Sequence, residues 1–109
     1  MRKLSRERDQ RKALLRVLAE NLFLKEKITT TETRAKELAS FSQGLIEKAK
    51  TGGLNSKRYL AKFFKKDVIK KISEISLRYK ERKGGYTRIS KLGPRKSNGT
   101  KIVQIELIK

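Results

Sequence analysis

Arg78-Tyr79-Lys80-Glu81-Arg82-Lys83-Gly84-Gly85-Tyr86-Thr87-Arg88-Ile89-Ser90-Lys91-Leu92-Gly93-Pro94-Arg95 is where the chain changes from helical to extended sequence. Seven basic side chains face the single carboxylate of Glu81 across this stretch. A helix arriving from the N-terminal side is expected to stop at Gly84-Gly85, where left-handed backbone costs least. Tyr86-Thr87-Arg88-Ile89, aromatic and β-branched, then reads as the start of a strand over Tyr86–Leu92. Cations lie on both sides of a bend with no side-chain bulk at its apex. A phosphodiester chain could approach such a corner closely.

Beyond it, Val103, Ile105 and Leu107 alternate with Ile102, Gln104, Glu106 and Ile108, which predicts a strand over Lys101–Ile108 with one buried face. The joining segment Gly93-Pro94-Arg95-Lys96-Ser97-Asn98-Gly99 is basic, carries Asn98-Gly99 for a tight turn, and exceeds a minimal hairpin loop. Towards the N-terminus, Asp67 is expected to cap a helix whose inner side holds Val68, Ile69, Ile72, Ile75 and Tyr79. Asn55-Ser56 opens a shorter helix, Lys57 to Phe64, with Tyr59, Leu60, Phe63 and Phe64 available for packing or, for the phenylalanines, base stacking. Ala35, Leu38, Phe41 or Ser42, Leu45, Ile46 and Ala49 recur at helical spacing up to Thr51-Gly52-Gly53. Before that helix, Lys27-Ile28-Thr29-Thr30-Thr31 predicts a brief strand, and one of its threonines is expected to cap the helix. Ser5 is read as the cap of a first helix reaching about Phe23, with Leu14, Leu15, Leu18 and Leu22 in one core-facing sector and Lys12 and Arg16 on the far side. The expected fold class is α+β, a two-layer α/β arrangement in the order α-β-α-α-α-β-β, with a small three-stranded sheet packed against helices. All 109 residues are expected to form a single domain.

Charge narrows the function. Thirty Lys and Arg against eleven Asp and Glu, with no His, give a formal net charge of +19. Self-repulsion on that scale calls for a polyanionic partner. The charge is also clustered: residues 1–16 carry net +5, residues 57–71 net +6 and residues 78–101 net +8, while residues 17–56 carry only +1. Charge serving solubility alone would be spread more evenly. Without His or Cys there is no imidazole base, thiolate zinc site or cysteine nucleophile. No phosphate-cradling GxxxxGK[ST] or GxGxxG pattern occurs, and the carboxylates sit among cations at ion-pairing spacings. An enzyme, a cofactor and a small-molecule substrate are therefore not expected. No apolar run approaches the ~20 residues of a membrane span, and the N-terminus, with Glu7 and Asp9, resembles neither a signal nor a transit peptide.

Cations drawn from several separated segments suit the irregular surface of folded RNA better than one regular groove. A basic architectural DNA-binding protein is the alternative, but no heptad seam or dimer arm accompanies the charge. A membrane-surface module would need its apolar stripes exposed, whereas the core requires them here.

The pattern RY-x-x-R-x-GGYTRI-x-K-x-G-x-R over Arg78–Arg95 resembles the C-terminal signature of the bacterial large-subunit ribosomal protein seventeen family. Arg2-Lys3-Leu4, Arg6 and Arg11-Lys12-Ala13-Leu14-Leu15-Arg16 are similar to its N-terminal segment. Ile28-Thr29-Thr30-Thr31, Ala35-Lys36-Glu37-Leu38, Ile46 and Ala49-Lys50 are similar to its middle, and Ile105-Glu106-Leu107 to its last strand. The chain departs from the family in a short basic leader, in Gln10 where histidine is common, and in Ser97–Lys101 before the last strand. The resemblance implies the same two-layer fold and a structural role in the large ribosomal subunit, in the cytoplasm. It further implies a place near the nascent-peptide tunnel exit, with 23S-type rRNA and neighbouring large-subunit ribosomal proteins as partners.

The residues expected to contact RNA are Arg2, Lys3, Arg6, Arg8, Arg11, Lys12, Arg16, Lys57, Arg58, Arg82, Arg88, Lys91, Arg95 and Lys96. Gly84 and Gly85 join them at the bend, one expected to take positive φ and the other to leave room for RNA or for helix-to-sheet packing. Tyr86 has two readings, a base-stacking or phosphate-bonding residue and a core ring with its hydroxyl at the surface. Arg88, two residues on, is expected to share a sheet face with Tyr86 and to be buried or covered by RNA.

Overall fold

A strand register joins the C-terminal strand to the short strand that follows the first helix. The computed structural model describes the backbone of residues 2–94 and 101–108, and the side chains of residues 8–93 and 101–108. Its elements are α1 (Arg2–Lys25), β1 (Lys27–Thr31), α2 (Glu32–Thr51), α3 (Gly53–Ala61), α4 (Lys66–Arg78), β2 (Thr87–Pro94) and β3 (Lys101–Leu107). The last strand lies in the centre of an antiparallel sheet ordered β1-β3-β2, pairing Ile28 with Ile105 on one side and Ile89 with Ile105 on the other. The fold is α+β, with elements in the expected order.

Alternation decides which face is covered. Val103, Ile105 and Leu107 are at most 2% exposed, whereas Ile102, Gln104, Glu106 and Ile108 on the opposite face are half-buried. Helix α2 lies across the sheet, in contact with all three strands, and packs against α1, α3 and α4 as well. Ala35, Leu38, Leu45 and Ile46 on its inner side are buried with Val68, Ile72 and Ile75 of α4 and Leu60 of α3. Thr31 caps α2 by accepting a hydrogen bond from the Arg34 N–H at 3.4 Å.

Several boundaries differ from expectation. Helix α1 starts at Arg2, so Ser5 lies inside it, and it ends at Lys25 rather than near Phe23. Its 24 residues span about 36 Å, and the leucine stripe is covered only in part along that length. Leu22 is buried, together with Ala19 and Phe23, while Leu14 remains 37% exposed. Helix α3 begins at Gly53, not at Lys57, because Gly52 and Gly53 both take positive φ and reverse the chain at once. Ser56 then donates to the Lys48 carbonyl at 2.8 Å and fastens α3 to the end of α2. Asp67 is not the cap of α4. Lys65 occupies that position without a side-chain bond, and Asp67 contributes its negative charge within the first turn. Strand β2 runs from Thr87 to Pro94, with a register shift between Lys91 and Gly93. The expected Asn98-Gly99 turn lies outside the described residues.

Candidate nucleic-acid interface

The bend between α4 and β2 is built from the inside. Tyr79, which ends α4, and Tyr86, which precedes β2, are 3% and 1% exposed, with ring centroids 4.9 Å apart. The Tyr86 hydroxyl has one proton to donate and lies within reach of the Glu47 carboxylate and, at 3.0 Å, of the Arg82 carbonyl oxygen. It accepts from Lys50 Nζ at 3.0 Å. Both the ring and the hydroxyl are thus engaged within the protein, and neither face of Tyr86 is open for stacking. The Tyr79 hydroxyl donates to the Ile108 carbonyl, and burial pushes its pKa up. Between these two anchors, Arg82 and Lys83 are exposed, with Arg82 Nε donating to the Gly84 carbonyl at 3.3 Å.

Both glycines of the bend have positive φ, +121° at Gly84 and +62° at Gly85, where only one was expected. The reason is geometric: the chain must leave α4, reverse, and enter the sheet within a few residues of a buried tyrosine. A Cβ at Gly84 would meet the Gln43 side chain at 3.6 Å, and one at Gly85 would meet nothing within 4 Å. Their requirement is conformational.

Arg88 does not share a face with Tyr86. It stands on the outer face of β2 opposite Glu106, with its side chain 63% exposed and Nε 3.6 Å from the carboxylate. Tyr86 precedes the strand, so strand alternation does not relate the two positions. Lys91 falls opposite Val103 but stays exposed, since β2 is an edge strand and a long stem can carry its ammonium to water. Lys91 and Lys101 add to the attraction by which Lys36, 3.2 Å from Glu32, holds that carboxyl below its ordinary pKa.

The other sequence-predicted cations fall on two further surfaces. Arg8, Arg11 and Lys12 are exposed on the N-terminal half of α1, and Arg11 lies 3.9 Å from Glu37 of α2. Arg16 is half-buried with its guanidinium 5.8 Å from the centre of the Phe63 ring. Lys57 and Arg58 are exposed on α3. Beside them stand Lys62, Lys65, Lys66 and Lys70, which are absent from the expected contacts although the net charge of residues 57–71 includes them. Lys80 and Lys83 at the bend are absent from the expected contacts in the same way. Among the described residues, no ion pair engages Arg8, Lys12, Lys57, Arg58 or Arg82. Arg2, Lys3 and Arg6 have side chains outside the described residues, as do Arg95 and Lys96 altogether.

Arg78 and Lys71 have a different task. Both converge on Glu26, at 2.6 Å and 3.4 Å. Glu26 joins α1 to β1 with φ of +66°, the only positive φ at a non-glycine among the described residues. Its carboxyl lies below the ordinary value chiefly because Arg78 donates to it. These two cations are spent within the protein.

The geometry is thus a small α+β body with exposed cations on α1, on α3 and at the α4–β2 bend. A family model described as ribosomal protein L17 matches residues 14–108. The chain is 48% identical over 113 residues to the large ribosomal subunit protein bL17 of an Exiguobacterium species, covering 97% of both sequences. It is 49% identical over 109 residues to the protein of the same name from a Thermoanaerobacter species, and 48% identical to that of Caldanaerobacter subterraneus, covering 98% of this chain and 97% of the relative in each case. With the family model covering most of the chain and relatives nearly half identical over almost its whole length, the chain belongs to the ribosomal protein L17 family.

Proposed function

We propose that this protein is a structural constituent of the large ribosomal subunit that binds folded 23S-type rRNA through lysine and arginine contacts to phosphate and sugar. The observation that carries this reading is the near full-length similarity to proteins named for that subunit. The distribution of charge supports it, because unpaired cations stand on several surfaces rather than along one groove. Arg8, Arg11, Lys12 and Arg16 of α1, Lys57 and Arg58 of α3, and Arg82, Arg88 and Lys91 around the bend supply the contacts. Arg2, Lys3, Arg6, Arg95 and Lys96 extend them. Gly84-Gly85 lets the RNA backbone come close to the bend.

The role is architectural. A net charge of +19 makes the compact state self-repelling, and the rRNA that neutralises it stabilises the fold in turn. The family resemblance further supports a position near the exit of the nascent-peptide tunnel, in the cytoplasmic ribosome and beside other large-subunit proteins.

Fractionation of ribosomes tests the central claim. The protein is expected in purified large subunits, and its absence there together with co-purification on DNA would overturn the reading. In solution, affinity for a folded rRNA fragment at constant magnesium should fall steeply with salt. About 6–10 neutralised phosphates give a log–log slope of several units. A slope near zero would point to a protein as the main anchor.

A further inference from the structure

Where the N-terminal half of α1 passes α2 and α3, an open groove of about 540 Å³ remains. Its walls are Leu15 of α1, Phe41 of α2, Tyr59 of α3 and Phe63 just beyond α3, and its rim carries Lys12 and Arg16 against the single acid Asp9. Tyr59 is 37% exposed and meets Phe63 edge-on, with ring centroids 5.4 Å apart. Lys48 Nζ stands 5.1 Å from the centre of the Tyr59 ring, as Arg16 stands over Phe63. Phe64, by contrast, is buried in the core. Of the two adjacent phenylalanines, only Phe63 is left beside an opening.

We propose that this groove receives a single unstacked nucleobase of the bound RNA. The inference rests on the RNA-binding reading above and adds a recognition site to it. Three observations converge. The walls are aromatic and the volume falls within the ~300–1,000 Å³ of ordinary ligand pockets. The rim is cationic, and among the described residues no carboxylate lies within ion-pair distance of Lys12, Arg16 or Lys48. The groove also lies between the cations of α1 and those of α3, so a polyanion lying across both surfaces passes over it. An apolar protein segment would fill the same walls but would leave those cations unanswered. A base attached to its phosphate satisfies both. The base stacks on the exposed Tyr59 ring, with Phe63 closing the groove edge-on, and Lys12, Arg16 and Lys48 turn from the rings to the adjoining phosphates or, for the planar Arg16 guanidinium, to the free face of the base.

The test uses the full-length chain and two synthetic single-stranded RNAs of equal length, one of oligoadenylate and one with the bases removed from the same sugar-phosphate backbone, at one fixed salt concentration. The base-bearing RNA is expected to bind about tenfold more tightly. Tyr59→Leu, which keeps apolar bulk but loses the ring, should erase that difference, and Tyr59→Phe should retain it. A 2-aminopurine placed in the oligoadenylate should be quenched on binding the unaltered protein, a readout independent of how any variant folds. Equal binding of the two RNAs, or a Tyr59→Leu variant that keeps the full difference, would overturn the base pocket while leaving phosphate binding intact. If neither RNA bound, the RNA-binding reading would fail and this one with it. Large subunits carrying Tyr59→Leu that lose a neighbouring protein, with base reactivity to chemical probes unchanged, would assign the groove to a protein and overturn the proposal.

Discussion

Arg78 donates from Nη1 to Oε1 of Glu26 at 2.6 Å across 52 residues of sequence, locking the end of α4 to the junction of α1 and β1. Lys71 reaches the other carboxylate oxygen at 3.4 Å. Glu26 holds a left-handed backbone that an L-residue adopts at a cost of about 1 kcal/mol. The junction requires it, because the Leu107 N–H bonds to the Glu26 carbonyl at 2.9 Å and sets where β3 meets the start of β1.

This pairing predicts an acid-sensitive element of stability. The folded-state pKa of Glu26 lies below its ordinary value of 4.5, with the Arg78 hydrogen bond the leading cause. A lowered carboxylate pKa stabilises the fold above the unfolded value, and that contribution disappears as pH falls from about 4.5 through the folded value. Glu26→Gln should lower stability near neutral pH by about 1 kcal/mol, since the pair is partly exposed. The difference from the parent should shrink on acidification. Thermal melts of both proteins between neutral pH and about pH 3 check this, and a difference that grew as pH fell would contradict it.

At the bend, Gly84→Ala should destabilise more than Gly85→Ala. Neither Cβ meets a severe clash, so the two costs are those of backbone conformation. Alanine at a φ of +62° enters the left-handed region for about 1 kcal/mol, whereas at +121° it lies in territory few L-residues visit, at about 2 kcal/mol or more. Chemical denaturation of the free protein ranks the two directly.

Tyr86→Phe should cost about 1 kcal/mol although it leaves the packing of the ring in place. The hydroxyl joins Lys50, Glu47 and the Arg82 carbonyl, and its loss leaves Lys50 and Glu47 short of a buried partner. RNA affinity measured under conditions where the variant is folded should be unchanged. An unchanged melting temperature with weakened RNA binding would instead place the hydroxyl at the RNA.

Arg88→Ala should show the opposite pattern. Its ion pair with Glu106 is largely solvated, so stability should change by less than about 0.5 kcal/mol. Binding to a folded rRNA fragment should weaken, and the slope of log affinity against log salt should fall by about one unit. A drop in melting temperature with affinity intact would make Arg88 a structural residue.

Sequence alone determined the order of the elements, the buried face of the sheet and the clustering of the cations. Each of these rests on local regularities: helical spacing in Leu38, Leu45 and Ile46, alternation in Val103, Ile105 and Leu107, and cations clustered in three segments. Tertiary structure decided which polar groups are available to a partner. Tyr86 and Arg88 sit two residues apart with similar sequence signals, yet one is sealed between Tyr79 and Lys50 and the other faces solvent opposite Glu106. Likewise Arg78 and Arg82 belong to one basic run, and only Arg78 finds the carboxylate of Glu26. Spacing along the chain cannot report such pairings, because they depend on where distant elements come to rest. The groove between Leu15, Phe41, Tyr59 and Phe63 belongs to the same class: each residue fits a core pattern in its own segment, and the opening appears only where α1, α2 and the end of α3 come together.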